Sequence, residues 1–324
     1  MPDELELLRR ADPVPTDGAY LGDGPLDQRA ERELDRLLRG PGPARRVRRS
    51  RLVWGLAASG VVLVTALTAL LGGPAPQPAL AAPRPLTVRA HSTPVPLTQL
   101  ADLAAAAAAD GSPRLRRGTH VQSWSLGMAD GEQPVTLPEE RVVRWRADDS
   151  HTELVVATDP RRPGRPVLTD EDGTPRAVAD GHVLSRTTYP PSWSDAPPVA
   201  PPPHTPAALR AYLAETAGAG SPGTAGLLDA VAQLLDHWTL GARESAALAR
   251  VLADAGGLRP VGQVTDRLGR PGQAYVYTRD GGRRMLVLDV RTGAVLGLET
   301  TFPHDDPRYG VRAGDVMEYR AWMR

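Results

Sequence analysis

Leu286 to Thr300, LVLDVRTGAVLGLET, reads as strand, turn, strand. Leu286, Leu288 and Val290 alternate with other residues, and Leu296, Leu298 and Phe302 do the same beyond the turn. Arg291-Thr292-Gly293 supplies the reversal, since glycine takes positive φ at no steric cost. The spacing predicts strands over Arg284–Val290 and Ala294–Phe302, paired antiparallel. Working outward, Leu258–Asp266, Gln273–Arg279 and Val311–Ala321 carry the same signal, and Asp280-Gly281-Gly282 marks another turn.

Upstream, three helices are expected. Pro206–Ala217 places Leu209, Tyr212, Leu213 and Thr216 on one side. Thr224–Leu240 gathers Leu227, Leu228, Val231, Leu234, Leu235 and Trp238. Ala242–Ala255 gathers Leu248, Val251 and Leu252, and Gly256-Gly257 ends it. Before these lies a proline-rich break, residues 190–206, which reads as a stiff loop. Earlier still, Gly118–Met128, the stretch around Val143 and Trp145, His151–Ala157, a hairpin about Glu171-Asp172-Gly173, and Val183–Tyr189 read as strands. Thr98 is placed to cap a helix over Gln99–Ala109. The order helix, strands, three helices, strands is an α+β pattern with antiparallel sheet. Joined together, the two strand runs would make one curled antiparallel sheet wrapped around three or four helices, with an apolar space on its concave side.

A second stretch concerns location. Leu52 to Leu71, LVWGLAASGVVLVTALTALL, carries no charge over twenty residues. At helical rise this covers about 30 Å, the thickness of bilayer hydrocarbon. RRVRRSR stands directly before it, which holds that flank on the cytoplasmic side. The expected organisation is therefore a cytoplasmic tail with basic block (1–51), one transmembrane helix (52–71), a Pro/Ala-rich linker (72–96) and an extracytoplasmic α+β domain (97–324). Ala79-Leu80-Ala81 has the form of a signal-peptidase site. A retained anchor fits better, because signal peptides lie within the first ~30 residues. In the tail, Asp3–Arg10 and Leu26–Arg39 have helical patterns, and the latter suits docking on a cytoplasmic partner. A solvated tail is the plainer alternative, since so short a segment buries little core.

Net charge is zero, and no basic footprint for nucleic acid stands out beyond the membrane stretch. Every base is arginine; the chain has no lysine and hence no P-loop. Cysteine is absent, so disulfides, thiol catalysis and cysteine-bound metals are excluded. Neither G-x-S-x-G nor H-E-x-x-H occurs. The Ala, Gly, Pro and Arg bias suits a GC-rich bacterial genome.

The arginine block and single span, then HVQSWSL, ERVVRWRAD, TPAALRAYL, ESAALARVLADAGGL, TDRLGRPGQAYVY and LVLDVRTGAVLGLE together resemble a family of actinobacterial single-span membrane proteins of unknown function. More loosely, the outer domain resembles the unclosed-barrel fold of periplasmic lipoprotein carriers and of sensor domains in sigma-factor regulators. That likeness implies acyl chains or partner peptides held between sheet and helices. Asp266, Gly269, Arg270 and Gly272, with Asp289, Arg291 and Gly293, match the family motifs. They are either a polar binding rim or turn chemistry, and turn chemistry is the more economical.

Trp124, Leu126, Val143, Trp145 and Leu154 are candidates to line a ligand cavity, ordinary core being the alternative. Trp193, in the proline-rich loop, suits a protein contact if exposed. His120, His151 and His182 each open a strand, but no supporting shell makes them a metal site; no metal or cofactor is expected. The functional expectation is a non-enzymatic, membrane-anchored extracytoplasmic binding or sensory protein for an apolar ligand or protein regulator. A structural or envelope-assembly protein acting through protein contacts is the alternative, and an enzyme is third.

Overall fold

The computed structural model describes residues 83–128, 133–191, 200–216 and 223–324. The expected membrane stretch 52–71, the tail helices 3–10 and 26–39, and Trp193 lie outside the described residues.

Helix α1 (Leu97–Ala107) is followed by strands β1 (Arg116–Gly127), β2 (Val135–Trp145) and β3 (His151–Ala157). A small hairpin, β4 (Val167–Thr169) and β5 (Arg176–Val178), precedes β6 (His182–Tyr189). Then come α2 (Pro206–Thr216), α3 (Thr224–His237), the two-residue β7 (Trp238–Thr239) and α4 (Ala242–Ala253). The chain returns as β8 (Arg259–Thr265), β9 (Pro271–Arg279), β10 (Gly282–Leu288), β11 (Val295–Thr301) and β12 (Val316–Trp322).

Two antiparallel meanders become one ten-stranded sheet because the first strand pairs the last. The order is β6-β3-β2-β1-β12-β11-β10-β9-β8, with β7 also on β1, while β4 and β5 pair only with each other. In the β1–β12 seam Val121 faces Trp322 and Trp124 faces Tyr319. The 286–300 stretch forms its hairpin as the sequence predicts. Asp289 accepts the backbone N–H groups of Arg291 and Thr292. Gly293 holds φ +67°, and a Cβ there would stand 2.8 Å from Ala104 Cβ and 3.1 Å from that of Ala249. This turn is thus wedged between α1 and α4, and only glycine satisfies both its backbone and its space.

The helices cover one face. Leu100, Leu228, Val231, Leu248, Val251 and Leu252 pack with Val121, Tyr275, Leu286, Leu288, Leu298 and Trp322 into the main core. The other face has apolar clusters of its own. Val264, Ala274, Val276, Met285, Val287 and Leu296 form one, and Trp124, Val316, Tyr319 and Ala321 another.

The expected fold is therefore corrected. The helices lie against one face of a ten-stranded antiparallel sheet that is apolar on both faces, instead of being wrapped in a curled sheet. The space between sheet and helices is filled: Leu228, Leu248, Leu252, Leu286 and Leu288 are fully buried. The physical reason lies in β9 to β11. Met285 and Val287 are as buried as Leu286 and Leu288, the two-sided pattern of a strand sandwiched between layers. The expected membrane helix before the domain has no counterpart here either, since no helix among the described residues is long and apolar enough to cross a membrane. The longest, α3, has fourteen residues.

Smaller differences have local causes. α1 begins at Leu97, with Pro96 at its cap position, so Thr98 lies inside the first turn. α3 stops at His237, because Trp238 and Thr239 extend to pair with β1. A register shift at Val287/Leu288 sends Leu296 and Leu298 to different clusters.

The second face is closed by a strap, residues 83–93, which is the described part of the expected linker. Leu86 inserts between the two apolar clusters there. Its N–H donates to both oxygens of buried Glu299, at 3.1 and 3.0 Å. Arg267 bridges Glu299 and the Arg84 carbonyl, each at 2.9 Å, and Arg283 reaches Glu299 at 2.8 Å. Arg89 N–H donates to the Gln263 carbonyl at 2.7 Å, so the strap also covers part of the β8 edge.

Candidate functional site

β1 is longer than the sheet beside it. β12 pairs with Val121–Ser125 and β7 with Arg116 and Arg117. Between them β1 stands at a fork. Met323 N–H donates to the His120 carbonyl (2.7 Å) and Thr239 Oγ1 to the Gly118 carbonyl (2.9 Å). The fork opens a cleft of about 590 Å³, within the size range of small-molecule sites. Its lining is Arg116, Arg117, Gly118, Thr119, His120, Val142, Val143, Arg144, Trp145, Thr239 and Arg324. A second cavity of about 20 Å³ shares Thr119, Thr239 and Arg324 with it, room for one water.

Gly118 makes the cleft's geometry possible. Its φ is +105°, and a Cβ there would lie 2.3 Å from the Val143 carbonyl oxygen. With no side chain at that point, β1 packs closely on β2 while Arg117 reaches over Trp145. The Arg117 guanidinium carbon sits 3.3 Å from the Trp145 ring centroid. Behind it Trp145 stacks on His151 (4.1 Å, 19°), and His151 stacks on Tyr189 (4.5 Å, 16°). Cross-strand register builds this column, since Trp145 faces His151 and His151 faces Tyr189. Each ring pair contributes about 0.5–1.5 kcal/mol beyond its buried area. The column fixes the plane of Arg117 and leaves its N–H edges for an acceptor.

The lining is cationic and contains no carboxylate. Arg116 and Arg144 are exposed and make no salt bridge with any described residue. Arg117 has Asp149 at 3.4 Å, itself largely exposed. Arg324 donates to Ser245 Oγ at 2.8 Å. His120 bonds to Glu140 at the rim. Deeper under α3, Asp236 accepts from Arg320 (2.7 Å) and Trp322 Nε1 (3.2 Å), and its backbone carbonyl accepts from Arg141 (3.0 Å). Burial pushes the Asp236 carboxyl up against the pull of Arg320 and Arg141. This group ties α3 to β12 and β2 and stays out of the cleft lining.

Of the five expected cavity residues, Val143 and Trp145 reach the cleft. Trp124 faces Pro138 across β2, which puts it and Leu126 on the opposite face from Val143 and Trp145. Trp124 is buried against Tyr319, its Nε1 donating to Asp159 at 3.2 Å, and Leu126 packs with Phe302 and Val311. Leu154 pairs with Val142 and Arg186, beside the cleft's back wall.

The family-like motifs form turns. Asp266 accepts the N–H of Leu268 (2.9 Å) and Arg270 (2.7 Å). Arg270 in turn donates to the carbonyls of Trp322 and Leu296, both at 2.7 Å, which anchors the end of β12 next to the fork. Gly269 has φ +80°, and a Cβ on Gly272 would meet Val287 at 2.5 Å. Asp289 and Gly293 shape the β10–β11 turn, and Arg291 lies exposed on it. None of these seven lines the cleft.

The three histidines stand apart in function: His120 meets Glu140, His151 lies in the ring column, and His182 meets Glu171 at 3.1 Å. No cluster of three or more metal-ligating side chains occurs among the described residues. Arg116, Arg117 and Arg144 are the site residues that pattern reading missed. Their signal is the arginine on either side of a strand end, in RRG and RWR. No protein-family model, curated protein or solved structure matches this chain.

Proposed function

We propose that this is an extracytoplasmic binding or sensory protein, held at the membrane through Leu52–Leu71, whose outer domain takes an anionic ligand in the arginine cleft. The observation that carries the reading is the lining itself: four arginines around an open volume with no carboxylate among them. Unpaired like charges held near one another are a standing preference for an anion. Attachment to the membrane is supported by the uncharged stretch and the arginine block before it, and Leu26–Arg39 would meet a cytoplasmic partner. An apolar ligand between sheet and helices gains no support, since that space is filled by leucines. The resemblance to actinobacterial single-span proteins fits the same location.

A protein acting only through protein contacts is the second reading, favoured by the edge strand β6, where Val183 is 46 % exposed. Native mass spectrometry of the full chain, released from its natural membrane, separates the two. A bound species that leaves as an anion supports the cleft. A ligand-free mass with a stoichiometric protein partner supports the edge.

A further inference from the structure

Which anion the cleft takes follows from how its arginines are placed. Gly118 pairs with Arg144, so Arg116 and Arg144 flank a position that has no side chain. Neither is neutralised by a described carboxylate. Arg117 approaches the same volume with its plane set by Trp145, presenting N–H edges in the fork that matches an oxyanion. Three guanidinium groups around one space offer more donors than a carboxylate's two in-plane oxygens can accept. A phosphoryl group has three terminal oxygens and up to two charges. The cleft's 590 Å³ also exceeds what a lone phosphate fills, so the anion is part of a larger molecule. The absence of lysine from the whole chain means that arginine as such is no signal; the argument rests on number, placement and lack of partners.

We infer that the cleft recognises a phosphoryl-bearing ligand with two or more negative charges, gripped by Arg116, Arg117 and Arg144. This rests on the anion-binding reading above. The phosphoryl group belongs either to a free phosphate ester or to a membrane lipid headgroup, and both present the same oxygens to the cleft.

The test is isothermal titration of the full chain, reconstituted in zwitterionic lipid discs, with inorganic pyrophosphate and, separately, with citrate. The variants are Arg116→Gln/Arg144→Gln and, as a distant exposed control, Arg165→Gln. Pyrophosphate is expected to bind at least about tenfold tighter than citrate and to weaken as salt rises. The double variant is expected to lose about tenfold or more with an unchanged melting temperature, and the control to lose nothing. Citrate binding as well as or better than pyrophosphate, with the same loss in the double variant, overturns the phosphoryl assignment while the anion cleft stands. No binding of either anion, or binding indifferent to the double variant, overturns both. Repeating the titration in discs containing anionic phospholipid then names the source: competition by the discs marks the headgroup, and undiminished binding marks the free ester.

Discussion

Replacing Glu299 by Gln should cost this domain more than any other single exposed or half-exposed ion pair would. The Glu299 side chain is fully buried and accepts from Leu86 N–H, Arg267 and Arg283 at once. Arg267 is nearly as buried, with 7 % of its side chain exposed. Glutamine keeps the shape but removes the charge, and turns an amide N–H₂ toward groups that only donate. Arg267 is then left as a buried cation with weakened compensation. Breaking a buried pair in this way costs about 3–5 kcal/mol. For a domain of this size each kcal/mol moves the melting temperature by roughly 2–4 °C, so a drop of about 6–20 °C is expected. Thermal melts of the full chain by circular dichroism read this directly. Hydrogen exchange should show the strap amide of Leu86 opening first, because its acceptor is the altered group. A loss below about 1 kcal/mol, the size of a surface pair, would refute the reasoning. It would mean that the strap and its two arginines find other partners at no cost.

Three further outcomes follow from the site and its surroundings. Asp149→Asn frees Arg117 of its one exposed ion-pair partner among the described residues; stability should change by less than about 1 kcal/mol, and anion affinity in titration should rise. Gly118→Ala demands a left-handed backbone and a Cβ 2.3 Å from the Val143 carbonyl; the backbone strain alone costs about 1–3 kcal/mol, read by urea unfolding, and anion binding should weaken with it. Burial works against ionised Asp159, but the Arg161 bonds and charge and the Trp124 N–H outweigh it and hold the carboxyl below its usual range. Because its folded pKa is depressed, Asp159 contributes stability that is present above about pH 4 and lost as pH falls through the folded value; urea midpoints across the acid range should fall less steeply in Asp159→Asn.

Legibility in the sequence followed the range of the forces involved. The Leu286–Thr300 hairpin and the helices around Leu228 and Leu248 depend on neighbours a few residues away, and their periodicity announced them. The two-sided burial of Met285 and Val287 was less visible, since an apolar run and an alternating one differ little over seven residues. The bulge that separates Leu296 from Leu298 left no mark at all. β7 was hidden inside an apparent helix because Trp238 fits the helical stripe; only the pairing with Arg117 shows that it is extended. The strap read as a spacer, since prolines mask periodicity and its anchor, Glu299, is 213 residues from Leu86. The cleft was illegible for the same reason. Its arginines alternate plainly along β1 and β2, but their convergence depends on β12 and β7 closing the fork from the far end of the chain.

Hydrogen exchange of the full chain, with and without the anionic small molecules extracted from its natural membrane fraction, tests the cleft most directly. The account predicts slower exchange in peptides covering Arg116–His120 and Val142–Trp145, with α3 and α4 unchanged, and loss of that protection in Arg116→Gln/Arg144→Gln. Protection confined to the helices and the strands beneath them, indifferent to the two arginines, would contradict it and return the ligand to the space between sheet and helices.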